Sequence, residues 1–346
     1  MAEMKIAGET FNVRVDGPEK APVIMLSNSL GTNLHMWDGQ IAALTKYFKV
    51  VRYDSRGHGK SPVTGGAYSI AGLGRDALAI MDALQLDRVH WLGLSKGGMV
   101  GQWLLANARE RIGRAILANT AAQLGTPDMW NTRIRTVLSQ GMGAIIPAVI
   151  DRWFTLGFQT KAPAAIARVV DMLRGTPAHG YAGCCAAIRD MDQRDTIRSV
   201  SNPVLVIVGK HDPATTPEAG ALIAATIRDA RLVTLDAAHL SNIEAESEFT
   251  RTIMGFLTDS ALRFAPPSQA TGKKAAAKPG LKPAARKVKT RKAAARKTAT
   301  PRKTVKAGAA RKVAKKPAKA VAVKKPASKP AAKKKTVAKK AVRGRR

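Results

Sequence analysis

The 346-residue chain predicts an α/β protein: a mostly parallel sheet flanked by helices, with an inserted helical cap and a disordered basic tail. Three observations carry this expectation. Over residues 1–265, short apolar runs of strand length alternate with helix-period stretches, the pattern of βαβ units. One interval, 125–198, keeps the helical period but has no strand. Beyond Asp259 there is no acidic residue at all.

The elements follow in chain order. Phe11–Val15, Val23–Leu26 and Val50–Tyr53 are short apolar or alternating runs, each ended by a Gly, Pro or Asn-type breaker. Val89–Leu92, Ala115–Ala118, Leu205–Val208 and Leu232–Leu235 continue the series. Between them Ile70–Leu84, Met99–Asn107, Glu218–Ala225 and Glu246–Leu257 repeat their apolar residues with helical spacing. Strands in this rhythm pair in parallel and are covered on both faces. The first strands, before any helix, are expected to form an antiparallel edge.

The interval 125–198 holds helical segments around Trp130–Gln140, Ile145–Phe154, Pro163–Arg174 and Ala178–Ile188. Inserted between two sheet strands, they predict a cap over the carboxyl edge of the sheet, where open α/β sheets bind ligands. The expected organisation is thus a core of 1–124 and 199–265, a cap of 125–198 and a tail of 266–346.

Charge divides the chain as sharply as pattern does. Of 58 basic residues, 30 lie in 266–346 with no Asp or Glu, whereas residues 1–265 balance 28 basic against 24 acidic groups. The tail has no aromatic residue either. It can bury too little to offset the entropy of ordering, so it is expected to be disordered. Apolar runs such as Pro203–Val208 are far shorter than the roughly 20 residues of a membrane span. Met1–Asp16 lacks the basic-then-apolar pattern of a signal peptide. The only cysteines are the adjacent Cys184 and Cys185, which support neither a disulfide framework nor a zinc site. A cytoplasmic protein that needs no metal or cofactor is expected.

The chemistry centres on Gly93-Leu94-Ser95-Lys96-Gly97. A G-x-S-x-G phrase alone is weak, but this one follows the run Val89–Leu92 and opens a helix. A serine between strand and helix sits on a very tight turn, so its neighbours need minimal side chains, and Gly93, Gly97 and Gly98 meet that need. The turn lifts the hydroxyl clear of the sheet. It also places the backbone N–H of Lys96 at a helix N-terminus, suited to a developing oxyanion.

Such a serine needs a base, and the base an orienting acid. His239 follows Leu232–Leu235 at a loop on the carboxyl edge, whereas His58, in Arg56-Gly57-His58-Gly59, reads as a turn residue. His35, His90, His179 and His211 lack a comparable position. Asp212 follows Leu205–Val208; Asp236 is the rival acid, placed like a solvated strand-end group. The order Ser95, Asp212, His239 is that of the α/β-hydrolases. The second oxyanion donor is expected from the loop Ser27-Asn28-Ser29-Leu30-Gly31-Thr32, through the N–H of Leu30.

Asn28-Ser29-Leu30-Gly31, Asp54-Ser55-Arg56-Gly57-His58-Gly59-Lys60-Ser61, the elbow with Gly101-Gln102-Trp103, the Asp212 and His239 segments and Asp151-Arg152-Trp153-Phe154 together resemble the 3-oxoadipate enol-lactonases. The resemblance spans roughly residues 4–262. It implies an α/β-hydrolase-fold enzyme of the β-ketoadipate branch of aromatic catabolism, acting on a small lactone. Two departures stand out. Lys96 occupies a position where such enzymes commonly have Met, and the tail is outside the family pattern.

The Lys96 side chain either attracts a substrate carboxylate or points to solvent beside the cap. For ring contact and carboxylate recognition the candidates are Trp130 with Arg133, one helical turn apart, or alternatively Arg152 with Trp153. Cys184 and Cys185 read as a buried helix face. Rival functions are a carboxylesterase or cofactor-free perhydrolase of the same fold. A nucleic-acid-associated protein is the other, its tail resembling the Lys/Ala/Pro-rich tails of linker histones. Thirty cations suit sequence-independent contact with nucleic acid. Oligomeric state is left open.

Overall fold

The computed structural model describes residues 2–6 and 8–260. The expectations for 266–346, and for the last five residues of the expected core, lie outside the described residues.

Eight strands form one sheet: β1 (Ala2–Ile6), β2 (Glu9–Asp16), β3 (Val23–Ser27), β4 (Lys49–Tyr53), β5 (Val89–Leu94), β6 (Ile112–Ala118), β7 (Val204–Gly209) and β8 (Arg231–Leu235). Their spatial order is β1-β2-β4-β3-β5-β6-β7-β8. Every residue of β5, β6 and β7 is buried. Both faces of these strands are therefore covered, which is why they read as unbroken apolar runs rather than alternating ones.

Only part of the expected antiparallel edge is present. β1 pairs β2, and β2 pairs β4, in antiparallel fashion, but β3 runs parallel to both β4 and β5. The reason is helix α1 (Asp38–Leu44), absent from the sequence reading. It carries the chain from β3 back to the start of β4, the crossover a parallel pair requires.

Helices α2 (Ile70–Ala83) and α3 (Lys96–Asn107) pack on each other, and α3 packs on β5 and β6. The Ser69 hydroxyl caps α2 by accepting from Gly72 N–H. The helix buries Ile70, Leu73, Ala77, Ile80 and Met81, the stripe its sequence predicts.

Between β6 and β7 the chain forms α4 (Pro127–Gln140), α5 (Ile146–Trp153), α6 (Leu156–Lys161), α7 (Pro163–Arg174) and α8 (Ala178–Arg189). Local chemistry sets their starts. Thr126 caps α4 ahead of Pro127, Thr155 caps α6, and Pro163 opens α7. α4 packs along α8, which is buried from Gly180 through Ile188, both cysteines included. This helical insertion and the sheet form one compact unit. After β7, α9 (Pro217–Thr226) packs on β7 and β8. A short α10 (Ser241–Glu244) and α11 (Glu246–Thr258) follow β8, with α11 packed on α1. Among the described residues no helix is long and apolar enough to cross a membrane.

Candidate active site

Because β3, β5, β6, β7 and β8 are mutually parallel, their carboxyl ends emerge at one edge. Ser95 follows β5, Asn119 follows β6, Asp212 follows β7, His239 follows β8, and Leu30 lies in the loop after β3. The topology alone gathers them.

Ser95 has φ +55° and ψ −115°, a conformation costing a non-glycine residue of order 1–3 kcal/mol. Three hydrogen bonds hold it. Ser95 N–H donates to Ala118 O at 2.9 Å, while its carbonyl accepts from Met99 N–H at 3.0 Å and from the Thr120 hydroxyl at 2.8 Å. The close approach behind the turn excludes side chains: a Cβ on Gly93 would stand 2.1 Å from Gly97 O, and one on Gly97 would stand 2.1 Å from Ser27 O.

The geometry pairs His239 with Asp212 and not with Asp236. Asp212 Oδ2 lies 2.8 Å from His239 Nδ1, both side chains almost wholly buried. Asp236 instead pairs with His211 at the surface, at 2.9 Å. Asp212 is heavily solvated by the protein. Oδ1 accepts from the N–H groups of Ala214 and Thr215, and Oδ2 accepts from the Thr215 hydroxyl at 2.6 Å and Asn119 Nδ2 at 3.1 Å. Burial acts to raise its pKa, but the His239 charge and these donors outweigh it, leaving a value of about 2. An ionised Asp212 fixes the tautomer of His239 with the proton on Nδ1, so Nε2 is the nitrogen left to accept. The Trp153 ring backs the imidazole at 5.9 Å.

In the loop after β3, Ser29 N–H donates to Met36 Sδ at 3.3 Å, Gly31 N–H to His58 Nε2 at 2.8 Å, and Thr32 N–H to Ser29 O at 3.4 Å. Leu30 lies among these satisfied amides and lines the same cavity as Ser95. Asn28 staples the loop to the sheet, donating to Tyr53 O and accepting from Trp37 Nε1. His58 is more than a turn residue. It is fully buried, and burial together with the charge of Lys96 pushes its pKa well below the ordinary value. It is therefore neutral and can accept from Gly31.

The Lys96 side chain does not point to solvent. It is 1 % exposed, does not line the cavity, and its Nζ has no hydrogen-bond partner among the described residues. The elbow fixes its backbone on the first turn of α3, and that direction leads inward, beneath the insertion. Burial lowers its pKa against the opposing pull of Cys184, Asp54 and Asp76.

Ser95, His239 and Leu30 share a cavity of about 40 Å³ with Trp130, Arg133, Trp153 and Tyr181. Of the two candidate pairs, Trp130, Arg133 and Trp153 line this one space and Arg152 does not. Arg133 also lies 5.5 Å over the Trp130 ring. Arg152 stands behind this lining, its pKa lowered by burial and by the Arg133 charge. A cavity lined by one guanidinium, two tryptophans and aliphatic side chains suits a small anionic molecule. A larger cleft of about 440 Å³, lined by Met36, Arg168, Met172 and Glu246 among others, contains none of these groups.

Sequence reading missed Thr215, Asn119 and Tyr181. Thr215 had a weak signal, because Asp212-Pro213 opens a turn in which the carboxylate accepts from the backbone two residues on, keeping the next residue beside it. Asn119 had another, a polar residue ending an apolar strand. Tyr181 had none, since only tertiary packing brings α8 to the cavity.

The sequence profile of the α/β hydrolase fold matches residues 22–246. The 3-oxoadipate enol-lactonase 1 of Acinetobacter baylyi is 39% identical over 250 residues, covering 72% of this chain and 94% of the relative. Among solved structures, the enol-lactonase from Burkholderia xenovorans LB400 has a TM-score of 0.73 at 44% identity, covering 74% of this chain and 99% of that one. A hydrolase from Pseudomonas aeruginosa PA01 has a TM-score of 0.72 at 45% identity, covering 74% and 97%.

Proposed function

Since the chain belongs to the α/β-hydrolase-fold family, in the branch of the 3-oxoadipate enol-lactonases, we propose that it opens 3-oxoadipate enol-lactone to 3-oxoadipate. The observation that carries this reading is the buried Asp212–His239 pair, whose histidine lines the same cavity as the strained Ser95.

In the proposed mechanism His239 Nε2 takes the proton of Ser95 as its oxygen attacks the lactone carbonyl. The N–H groups of Leu30 and Lys96 receive the oxyanion, and each such donor is worth roughly 10²–10³ in rate. Collapse breaks the ring C–O bond, with His239 returning the proton to the leaving enol, which becomes the ketone. A water activated by His239 then attacks the acyl-enzyme and releases the dicarboxylate. Asp212 stays ionised throughout and holds the imidazolium.

Arg133 is assigned the substrate carboxylate, with Trp130 and Trp153 against the ring and Arg152 reinforcing the positive field. Arg133→Ala should raise KM for the acidic lactone about tenfold or more, on the basis of roughly 1.5–3 kcal/mol for a charged hydrogen bond. It should hardly affect a neutral ester of similar size. Equal losses on both would make the residue a packing element and favour a general carboxylesterase.

A second reading concerns residues 266–346. Thirty cations without an acid or an aromatic favour non-specific contact with nucleic acid phosphates, added to the enzyme rather than replacing it. A cytoplasmic setting belongs to the same proposal.

A further inference from the structure

One carboxylate near the site belongs neither to the triad nor to the cavity lining. Glu244 ends α10, one short turn of chain beyond His239. Its Oε2 accepts from the N–H of Ala238 at 2.8 Å. Its Oε1 accepts from the N–H of Thr155 at 3.1 Å and from the Thr155 hydroxyl. Ala238 immediately precedes His239, whereas Thr155 is the cap of α6, at the joint with α5 in the helical insertion. The Glu244 side chain is thus a bridge between two segments far apart in sequence.

A second tie runs in parallel. Leu240 N–H, immediately after His239, donates to Trp153 O at 3.2 Å. Both neighbours of His239 are therefore bonded to the α5–α6 joint, one through the Glu244 carboxylate and one directly. The same joint carries the Trp153 ring against the imidazole. Among the described residues no cation forms an ion pair with Glu244, so its charge is met by the donors of the two segments it joins. Charge-assisted bonds of this kind are stronger and more directional than neutral ones.

We propose that Glu244 is a positioning residue for His239, making the placement of the imidazole depend on where the α5–α6 joint sits. The same joint contributes Trp153 to the cavity that Ser95 and His239 line, so a shift of the joint would move a wall of the cavity and the imidazole together. Misplacement of a reacting group by about 1 Å costs on the order of 100-fold, so a soft link suffices to matter. The inference rests on the reading of His239 as the catalytic base.

The test compares full-length wild type, Glu244→Gln, Glu244→Ala and Glu244→Asp. Gln keeps the volume but aims an amide N–H₂ at one of two donors, and Asp keeps the charge with a shorter reach. Three readouts are taken: steady-state kinetics on the acidic lactone and on p-nitrophenyl acetate, labelling of Ser95 by a fluorophosphonate, and the downfield proton resonance of His239 Nδ1–H. Glu244→Gln and Glu244→Ala are expected to lose roughly 10–100-fold in kcat on both substrates with KM little changed. Labelling should slow in step, the His239 resonance should shift or broaden, and Glu244→Asp should recover part of each. Wild-type kcat with an unshifted resonance in folded Glu244→Ala would overturn the proposal, as would a loss confined to KM for the acidic lactone. If wild type is neither labelled nor active, the reading of the triad fails instead. The resonance then still decides whether Glu244 positions the imidazole.

Discussion

Two buried side chains, one in the site and one near the start of β5, owe their protonation states to place rather than to residue type. Asp212, with a pKa of about 2, and His90, lowered to about 4 by burial and then by the Arg114 and Arg88 charges, are opposite chemistries with one consequence. Unfolded His90 takes a proton below about pH 6.5, while folded His90 resists until about 4. Its contribution to stability is therefore complete above pH 6.5 and lost as pH falls to 4. Asp212 adds a second loss between roughly 3.9 and 2, where the unfolded carboxylate protonates first. One unmatched proton is worth about 1.4 kcal/mol per pH unit, so His90 accounts for about 3 kcal/mol over its window. Denaturant unfolding of His90→Asn should show a flatter pH dependence between 6.5 and 4 than wild type. An unchanged slope would remove His90 from the account. At this scale the places of Ser95, Asp212 and His239 were legible because each lies in the turn or loop just after a strand run. The inward course of Lys96 was not, because a sequence names a side chain without giving the direction its backbone imposes.

Among the elements, the turn from β5 to α3 carries the greatest demand. Gly93→Ala would set a Cβ against the backbone of Gly97, which has no flexible end to move aside. The prediction is loss of the Ser95 geometry. If the variant folds, fluorophosphonate labelling should fall by roughly 100-fold or more, given the cost of displacing a reacting group. Labelling at the wild-type rate would show that the elbow tolerates what the contact forbids. The central strands and α2 were readable because burial on both faces, or on one stripe, writes itself into apolar spacing. α1 was not, since it buries only Gln40 and Leu44, and α6 buries no residue at all. β1 did alternate, but five residues at the chain's start carry too short a pattern to stand alone. The ties from Glu244 and Tyr181 to the site join α10 and α8 to distant segments, and no local pattern encodes them.

At the scale of the whole molecule, charge and chemistry are assigned to different parts of the chain. Residues 1–265 are nearly balanced and contain every group proposed for catalysis, whereas 266–346 carry thirty cations. Removing 266–346 should leave lactone turnover intact and abolish binding to duplex DNA. For the full chain, log affinity should fall linearly with log salt, at roughly 0.9 per phosphate neutralised. Undiminished DNA binding by the truncated protein would place the contact on the folded part. The account as a whole depends on Ser95 as the nucleophile that opens the lactone ring. Its most direct test is the decay of enol-lactone absorbance under full-length wild type and Ser95→Ala of matched circular dichroism. Loss of kcat on the order of 10³-fold or more is the predicted result, since triad members act as a unit. Turnover near the wild-type rate by folded Ser95→Ala would contradict it.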